Sequence, residues 1–202
     1  MKFYQLVVIV MLQFIGCNIS YSQIDISNFD NLTHYNIEDG LSSNSISDII
    51  EDKYGFLWVV NGESISRFDG NNFTNYDSFI ENDSIYKIGR VNTLAIDKSG
   101  ERLFVGGSNG IFYTSLKEIG FKPINALVPS INSTINRITH ILFDNENICW
   151  VSSLGNGLVK INLSNKSYQS FRLNNPTQEN NAWINSINSI SKDPNDDSIL
   201  WS

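Results

Sequence analysis

Apolar side chains in this sequence come in short alternating runs cut by turn residues, and the same arrangement returns four times. Ile46, Ile49 and Ile50 mark the first run, Val91, Leu94 and Ile96 the second, and Ile138, Ile141 and Phe143 the third; Ile187 and Ile190 open a fourth. Alternation over so few residues predicts half-buried β-strands. A tight turn closes each run: Asp52-Lys-Tyr-Gly55, Asp97-Lys-Ser-Gly100, and a third in which Asn147 takes the glycine position. Aspartate at the first turn position caps backbone N–H groups, and glycine at the fourth accepts the positive φ that closes a hairpin. A second strand then carries an aromatic anchor, in Phe56-Leu-Trp58-Val-Val, Leu103-Phe104-Val and Ile148-Cys-Trp150-Val. Third strands are expected at Ile65–Phe68, Gly110–Tyr113 and Gly157–Ile161, and short outer strands at Phe73–Tyr76, Phe121–Ile124 and Tyr168–Phe171.

The anchors Trp58, Phe104, Trp150 and Trp201 lie 46, 46 and 51 residues apart. A period in the forties, filled by short strands, is the mark of a propeller blade. One such sheet cannot bury both faces alone and needs a neighbour on each side. The expected fold is therefore all-β, a partial β-propeller of four-stranded antiparallel blades. Residues 23–202 would hold three complete blades and the start of a fourth. Asn31-Leu-Thr-His-Tyr35 repeats the outer-strand pattern of Asn72-Phe-Thr-Asn-Tyr76 with no strands before it, which predicts a ring-closing strand near residues 29–37. Since a ring takes about four to eight blades, the sequence is expected to be the N-terminal part of a longer protein.

Composition excludes more than it adds. With 41% hydrophobic and 17% charged residues there is enough apolar mass for a sizeable core. The net charge is −7, from 14 bases and 21 acids without a basic run. That balance argues against contact with nucleic acid or an anionic lipid surface. At the N-terminus Lys2 precedes the apolar stretch from Leu6 to Ile15, too short to span a bilayer comfortably. A signal peptide over residues 1–22, cleaved before Gln23, is expected. Lipidation at Cys17, after Phe14-Ile-Gly, and an uncleaved anchor are the rival readings, and all three export the body of the chain.

The stretch His34-Tyr-Asn-Ile-Glu-Asp39-Gly40-Leu41-Ser42-Ser43-Asn44-Ser-Ile46, running on through Asp52-Lys-Tyr-Gly55-Phe-Leu-Trp58 to Arg67-Phe-Asp69-Gly70, resembles the opening of the two-component regulator propeller family. These are periplasmic sensor regions of bacterial hybrid histidine kinases. The resemblance implies one or two seven-bladed propellers, an immunoglobulin-like linker, a membrane span and cytoplasmic kinase modules. It further implies a dimeric parent on the periplasmic side of the inner membrane, feeding a phosphorelay. Members often sense carbohydrate breakdown products, so the implied partner is a small-molecule ligand of the oligosaccharide class. The chain departs from the family pattern in three places. Trp58 is followed by Val-Val-Asn rather than a small polar residue and threonine, Phe104 replaces an anchor tryptophan, and Pro194-Asn-Asp-Asp197 is inserted in the fourth unit.

No phosphate loop, nucleophile elbow or Cys-x-x-Cys is present. His34 and His140 sit in different local contexts and read as strand residues rather than a catalytic or metal pair. Asp193-Pro-Asn195-Asp-Asp197 spaces its oxygens as a calcium loop does, but Ser198 stands where glycine is required and the sequence reaches Ser202 before the position of the bidentate glutamate. It reads as an enlarged hairpin turn. Cys149, beside Trp150, is expected to pack as a small apolar residue. Tyr54, Tyr76 and Tyr86 are candidates for a carbohydrate-binding platform, weighed against plain packing on outer strands. No catalytic, cofactor-binding or metal-ligating residue is expected, and no cofactor. The leading reading is an exported sensor module that performs no catalysis. The alternatives are part of a secreted propeller enzyme of the lyase or quinoprotein type, or a glycan-binding propeller.

Overall fold

The computed structural model describes residues 33–81, 84–131, 135, 137–144, 147–173, 185–195 and 200–201. The chain divides into two compact units, Met1–His34 and Tyr35–Ser202. Of the first, Thr33 and His34 are described, and neither is helical or extended in a sheet. The expected signal peptide, with Cys17 and the Gln23 cleavage point, lies outside the described residues.

The second unit repeats one sheet. Strands β1 (Asp48–Glu51), β2 (Leu57–Asn61), β3 (Ser64–Phe68) and β4 (Phe73–Tyr76) form the first, followed by a separate hairpin of β5 (Ser78–Glu81) and β6 (Ser84–Lys87). Strands β7 (Val91–Ile96), β8 (Arg102–Gly107), β9 (Gly110–Ser115) and β10 (Lys122–Pro123) form the second sheet. The third holds β11 (Ile138–Phe143), β12 (Ile148–Ser153), β13 (Gly157–Asn162) and β14 (Ser167–Phe171), and β15 (Ser191–Lys192) pairs with β16 (Leu200–Trp201). Every pairing is antiparallel between chain neighbours, and equivalent partners recur: Ile50 opposite Trp58, Ala95 opposite Phe104, Leu142 opposite Trp150. The expected strands of the first three units are present, with two differences, while in the fourth the run opened by Ile187 and Ile190 is assigned to no strand and pairing is confined to Ser191–Lys192. The outer strand expected at Phe121–Ile124 shrinks to Lys122–Pro123, because proline lacks an N–H for further pairing and Ile124 starts a 3-10 turn closed by Leu127 N–H to Ile124 O. The β5–β6 hairpin is an insertion between blades. Of the ring-closing strand expected near 29–37, residues 29–32 lie outside the described residues; 33–36 are unpaired and Ile37 begins a 3-10 turn.

The core sits between the sheets. Along β8 the side chains alternate. Leu103 and Val105 join Trp58, Val60 and Ile65 of the first blade, whereas Phe104 joins Ile138, Ile141 and Phe143 of the third. A sheet buried on both faces in this way is what blade stacking demands. Polar bonds tie the inner strands in register: Leu94 N–H donates to Asp48 Oδ2 at 2.7 Å, Asn92 Nδ2 to Ile138 O at 2.7 Å, and Thr139 Oγ1 to Ile187 O at 2.6 Å. A Cβ on Gly106, which follows Phe104-Val105 as Val60 follows Trp58-Val59, would come within 2.5 Å of Ile138 Cγ2. The next blade's inner strand thus sets the side-chain size admitted there.

The turn aspartates explain why the anchor is tryptophan. Asp52 Oδ1 accepts the N–H groups of Tyr54 and Phe56, and Oδ2 accepts the Trp58 indole N–H at 2.8 Å. Trp150 donates to Asp144 and, at 3.0 Å, Trp201 Nε1 to Asp193 Oδ2. Phe104 has no such donor. In its blade Arg102 Nε fills the place, 2.7 Å from Asp97 Oδ2. Gly55 and Gly100 close these turns at φ +84° and +68°, as their position in the hairpin requires.

Two of these carboxylates are held below their ordinary value of 3.8. For Asp97 burial pushes upward, but the Arg102 guanidinium, the Ser99 hydroxyl and the N–H groups of Glu101 and Arg102 together outweigh it. For Asp144 the Lys192 ammonium, 2.6 Å away, dominates over burial, with the Trp150 donor assisting. A carboxylate with a depressed folded value stabilises the protein above its unfolded value and stops doing so as pH falls through the folded one. The melting temperature is therefore expected to hold steady down to about pH 5 and to fall increasingly below about pH 4. Asp97→Asn should flatten that acid slope while lowering the plateau. A slope unchanged in the variant would contradict this account.

Cys149 is 2% exposed on β12, and burial pushes its thiol well above the ordinary range. It packs with Val151 and Ile161, as expected from the sequence. In a Cys17→Ser chain the remaining thiol is expected to ignore a water-soluble disulfide reagent until the protein is unfolded. Prompt stoichiometric reaction under native conditions would contradict it.

Candidate functional site

Where the inner strands begin, the turns joining β8 to β9 and β12 to β13 rise beside them. Between these segments lies an open cavity of about 500 Å³, lined by Arg90, Asn92, Ser108, Arg137, Thr139 and Asn188 among others. That volume falls in the range of small-molecule sites. Arg90 and Arg137 occupy equivalent places, each one residue ahead of an inner strand, β7 or β11. Ser108 holds both backbones: it accepts from Arg90 N–H through Oγ at 3.1 Å, donates its own N–H to Arg90 O at 2.8 Å, and its carbonyl accepts from Arg137 N–H at 3.4 Å. Leu154 N–H completes the fixation of Arg137, donating to its carbonyl at 3.0 Å. Arg137 sits at φ +52°, a left-handed conformation that disfavours side chains by about 1 kcal/mol or more. The floor is built from side chains already committed to the fold, since Asn92 and Thr139 bond across to the following segment's carbonyls.

Two other cavities carry less chemistry. One of about 900 Å³ lies between Gly157, Phe171 and Asn185, but its cation Arg172 is engaged, Nε to Asn156 O at 2.9 Å and Nη2 to Asn156 Oδ1 at 2.5 Å. Another, of about 410 Å³, lies between Ser42, Asn61 and Glu63, where Lys87 is paired with Asp77.

Within the second unit, the described residues singled out from the sequence occupy separate strands and turns. His140 is half-buried on β11, with Nδ1 3.3 Å from Ser189 Oγ, while His34 belongs to the other unit. Asp193 accepts from Asn195 N–H at 2.7 Å and from Trp201, the bonding of a hairpin turn; Asp196 and Asp197 lie outside the described residues. Tyr54 and Tyr86 are about half exposed, on a turn and on the inserted hairpin respectively, and Tyr76 packs 5.9 Å from Trp58 and 5.7 Å from Phe121. Among the described residues no cluster of three or more His, Cys, Asp or Glu could hold a metal, and no helix is long and apolar enough to cross a membrane. The block around Asp39-Gly40 has a structural task. Asn36 and Asp39 cap each other's backbone N–H groups, Asn44 Oδ1 accepts from Ile37 N–H at 3.0 Å, and Asn75 Nδ2 donates to Gly40 O at 2.9 Å. This folds the entry segment onto blade one, where the Tyr35 ring lies 4.8 Å from Phe68.

Residues 40–63 match the family model for the two component regulator propeller, confirming the resemblance on the first blade's opening turn, β1 and β2. No curated protein matches the sequence. Among solved structures, the extracellular domain of a one-component system from B. thetaiotaomicron is similar at TM-score 0.59 and 19% identity, over 77% of this chain and 19% of that one. A second structure of that same B. thetaiotaomicron extracellular domain, there described as belonging to a hybrid two-component system, is similar at TM-score 0.57 and 19% identity, over 74% and 18%. PorZ, a surface component of the type-IX secretion system of Porphyromonas gingivalis, is similar at TM-score 0.53 and 17% identity, over 74% and 23%. At these identities the likeness is one of fold, and the chain spans about a fifth of the length of each.

Proposed function

We propose that this chain, which carries a two-component regulator propeller repeat, is the ligand-sensing input module of an exported sensor histidine kinase. The single observation that carries the reading is the family match on residues 40–63, set in a stack of four-stranded blades. The apolar N-terminal stretch and the extracellular origin of the similar sensor domains support a periplasmic place. In this reading the blades are a rigid scaffold, the loops at one end bind a small molecule such as an oligosaccharide, and occupancy biases a bistable dimer interface in the full-length parent. The module itself performs no chemistry; phosphoryl transfer belongs to the parent's cytoplasmic part.

Two measurements test this. Alkaline phosphatase fused after residue 202 should be active in a bacterial host, and an inactive fusion that is nonetheless produced would remove the export claim. The reading frame beyond codon 202 should encode a membrane span followed by a histidine kinase transmitter. A frame lacking both would remove the signalling role.

A further inference from the structure

We infer that the cleft between Arg90 and Arg137 is an oxyanion site, which takes a small organic ligand bearing a carboxylate or a sulfate ester. The inference deepens the sensor reading and rests on it only for the biological use of the site.

The five arginines of the chain make the case by elimination. Arg67 stacks on the Phe56 ring at 4.3 Å, Arg102 bonds Asp97, and Arg172 bonds Asn156. Arg90 and Arg137 alone have guanidinium groups without a hydrogen bond, ion pair or ring partner among the described residues, and both line the same cavity. In a chain with 21 acidic groups and a net charge of −7, a random pair of surface arginines should readily find carboxylates. Here two exposed arginines line one concave space, and no carboxylate is among the residues that line it with them. Guanidinium groups present paired donors that match the two oxygens of a carboxylate or sulfate, so an anion held in this space could take charge-assisted contacts from either arginine.

The backbone is arranged to hold that pair. Ser108 binds the chain at both arginines, so their bases are fixed relative to one another. Arg137 keeps its left-handed φ of +52° although glycine would suit the position without strain. The polar rim adds Asn188, whose side chain is likewise uncommitted among the described residues, and Asn92 keeps its carbonyl oxygen while its amide nitrogen bonds Ile138 O. Such groups suit hydroxyls next to the charged one.

Calorimetric titration of the full chain with D-galacturonate, D-galactose 6-sulfate and neutral D-galactose isolates the charge, since the three share a sugar body. At least one anionic probe should bind about tenfold or more tightly than galactose, and binding should weaken with added sodium chloride. Arg90→Ala and Arg137→Gly should each weaken it about tenfold. The glycine variant fits the local φ, so its melting temperature should not fall. Preference for galacturonate assigns a carboxylate ligand, and preference for the 6-sulfate assigns a sulfate ester. The inference is overturned if neither anionic probe binds at millimolar concentration, if galactose binds equally well, or if both variants retain full affinity. Binding of galactose untouched by the variants would overturn the oxyanion site yet leave the sensor reading standing. The fusion and reading-frame tests bear on the sensor reading alone.

Discussion

Gly107→Ala is expected to destabilise the protein by about 3 kcal/mol, one of the largest effects of any single methyl group here. An alanine Cβ at this point would lie 2.1 Å from Arg90 O and 3.0 Å from Arg90 C. Both are backbone atoms of the segment entering β7, so no side-chain rotation relieves the clash. Gly107 is also pinned on both sides, opposite Val91 on β7 and Gly110 on β9. Relief would require the ladder to part at the end of β8. Gly120→Ala supplies the control, since nothing lies within 4 Å of its Cβ and its φ is not positive. That change should be neutral, or slightly stabilising through the unfolded chain. In thermal melts the first variant should lose roughly 6–12 °C and the second almost nothing. Equal melting temperatures would mean that the approach of β8 to the Arg90 segment is not rigid.

The position of Gly107 could not be appreciated from the sequence, whereas the strand containing it could. Alternation and the 46-residue anchor spacing place β1 to β4 and their counterparts within a residue or two, because each blade repeats the same burial problem. What failed to repeat was missed. The β5–β6 hairpin has its own signal, Phe79-Ile80 and Ile85-Tyr86 on either side of Asn82-Asp83, but nothing elsewhere in the chain corresponds to it. Only packing shows that Phe79 is anchored on Phe112 at 5.2 Å while Ile80 and Ile85 remain more than 70% exposed. The cleft was hidden for a different reason. Arg90 and Arg137 read singly as solvated charges, and their shared register 47 residues apart acquires meaning only when consecutive inner strands stand side by side. Arg102 was equally silent, since its place two residues before a phenylalanine gains sense only beside the missing indole donor.

That exchange of indole for guanidinium sets the second expectation, a measurable coupling between Asp52 and Trp58. Trp58 is fully buried, wedged between Tyr76 and Phe121 and donating to a carboxylate that is itself only 5% exposed. Trp58→Ala removes ring and donor together and should lower stability by about 3–5 kcal/mol. Trp58→Phe keeps most of the packing and removes only the N–H; losing a hydrogen bond to a charged, buried partner should lower stability by about 1.5–3 kcal/mol. Asp52→Ala also strips the caps from Tyr54 and Phe56 N–H, so its effect alone mixes turn and anchor. The double change separates them. Once Asp52 is gone, Trp58→Phe should lower stability by a further 1 kcal/mol or less, about the value of the lost ring area, giving a coupling energy of about 1–2 kcal/mol. Arg102→Met should reproduce the single loss in blade two, where Phe104 leaves Asp97 dependent on the guanidinium. Additive effects in the Asp52–Trp58 cycle would mean that tryptophan recurs for its size alone.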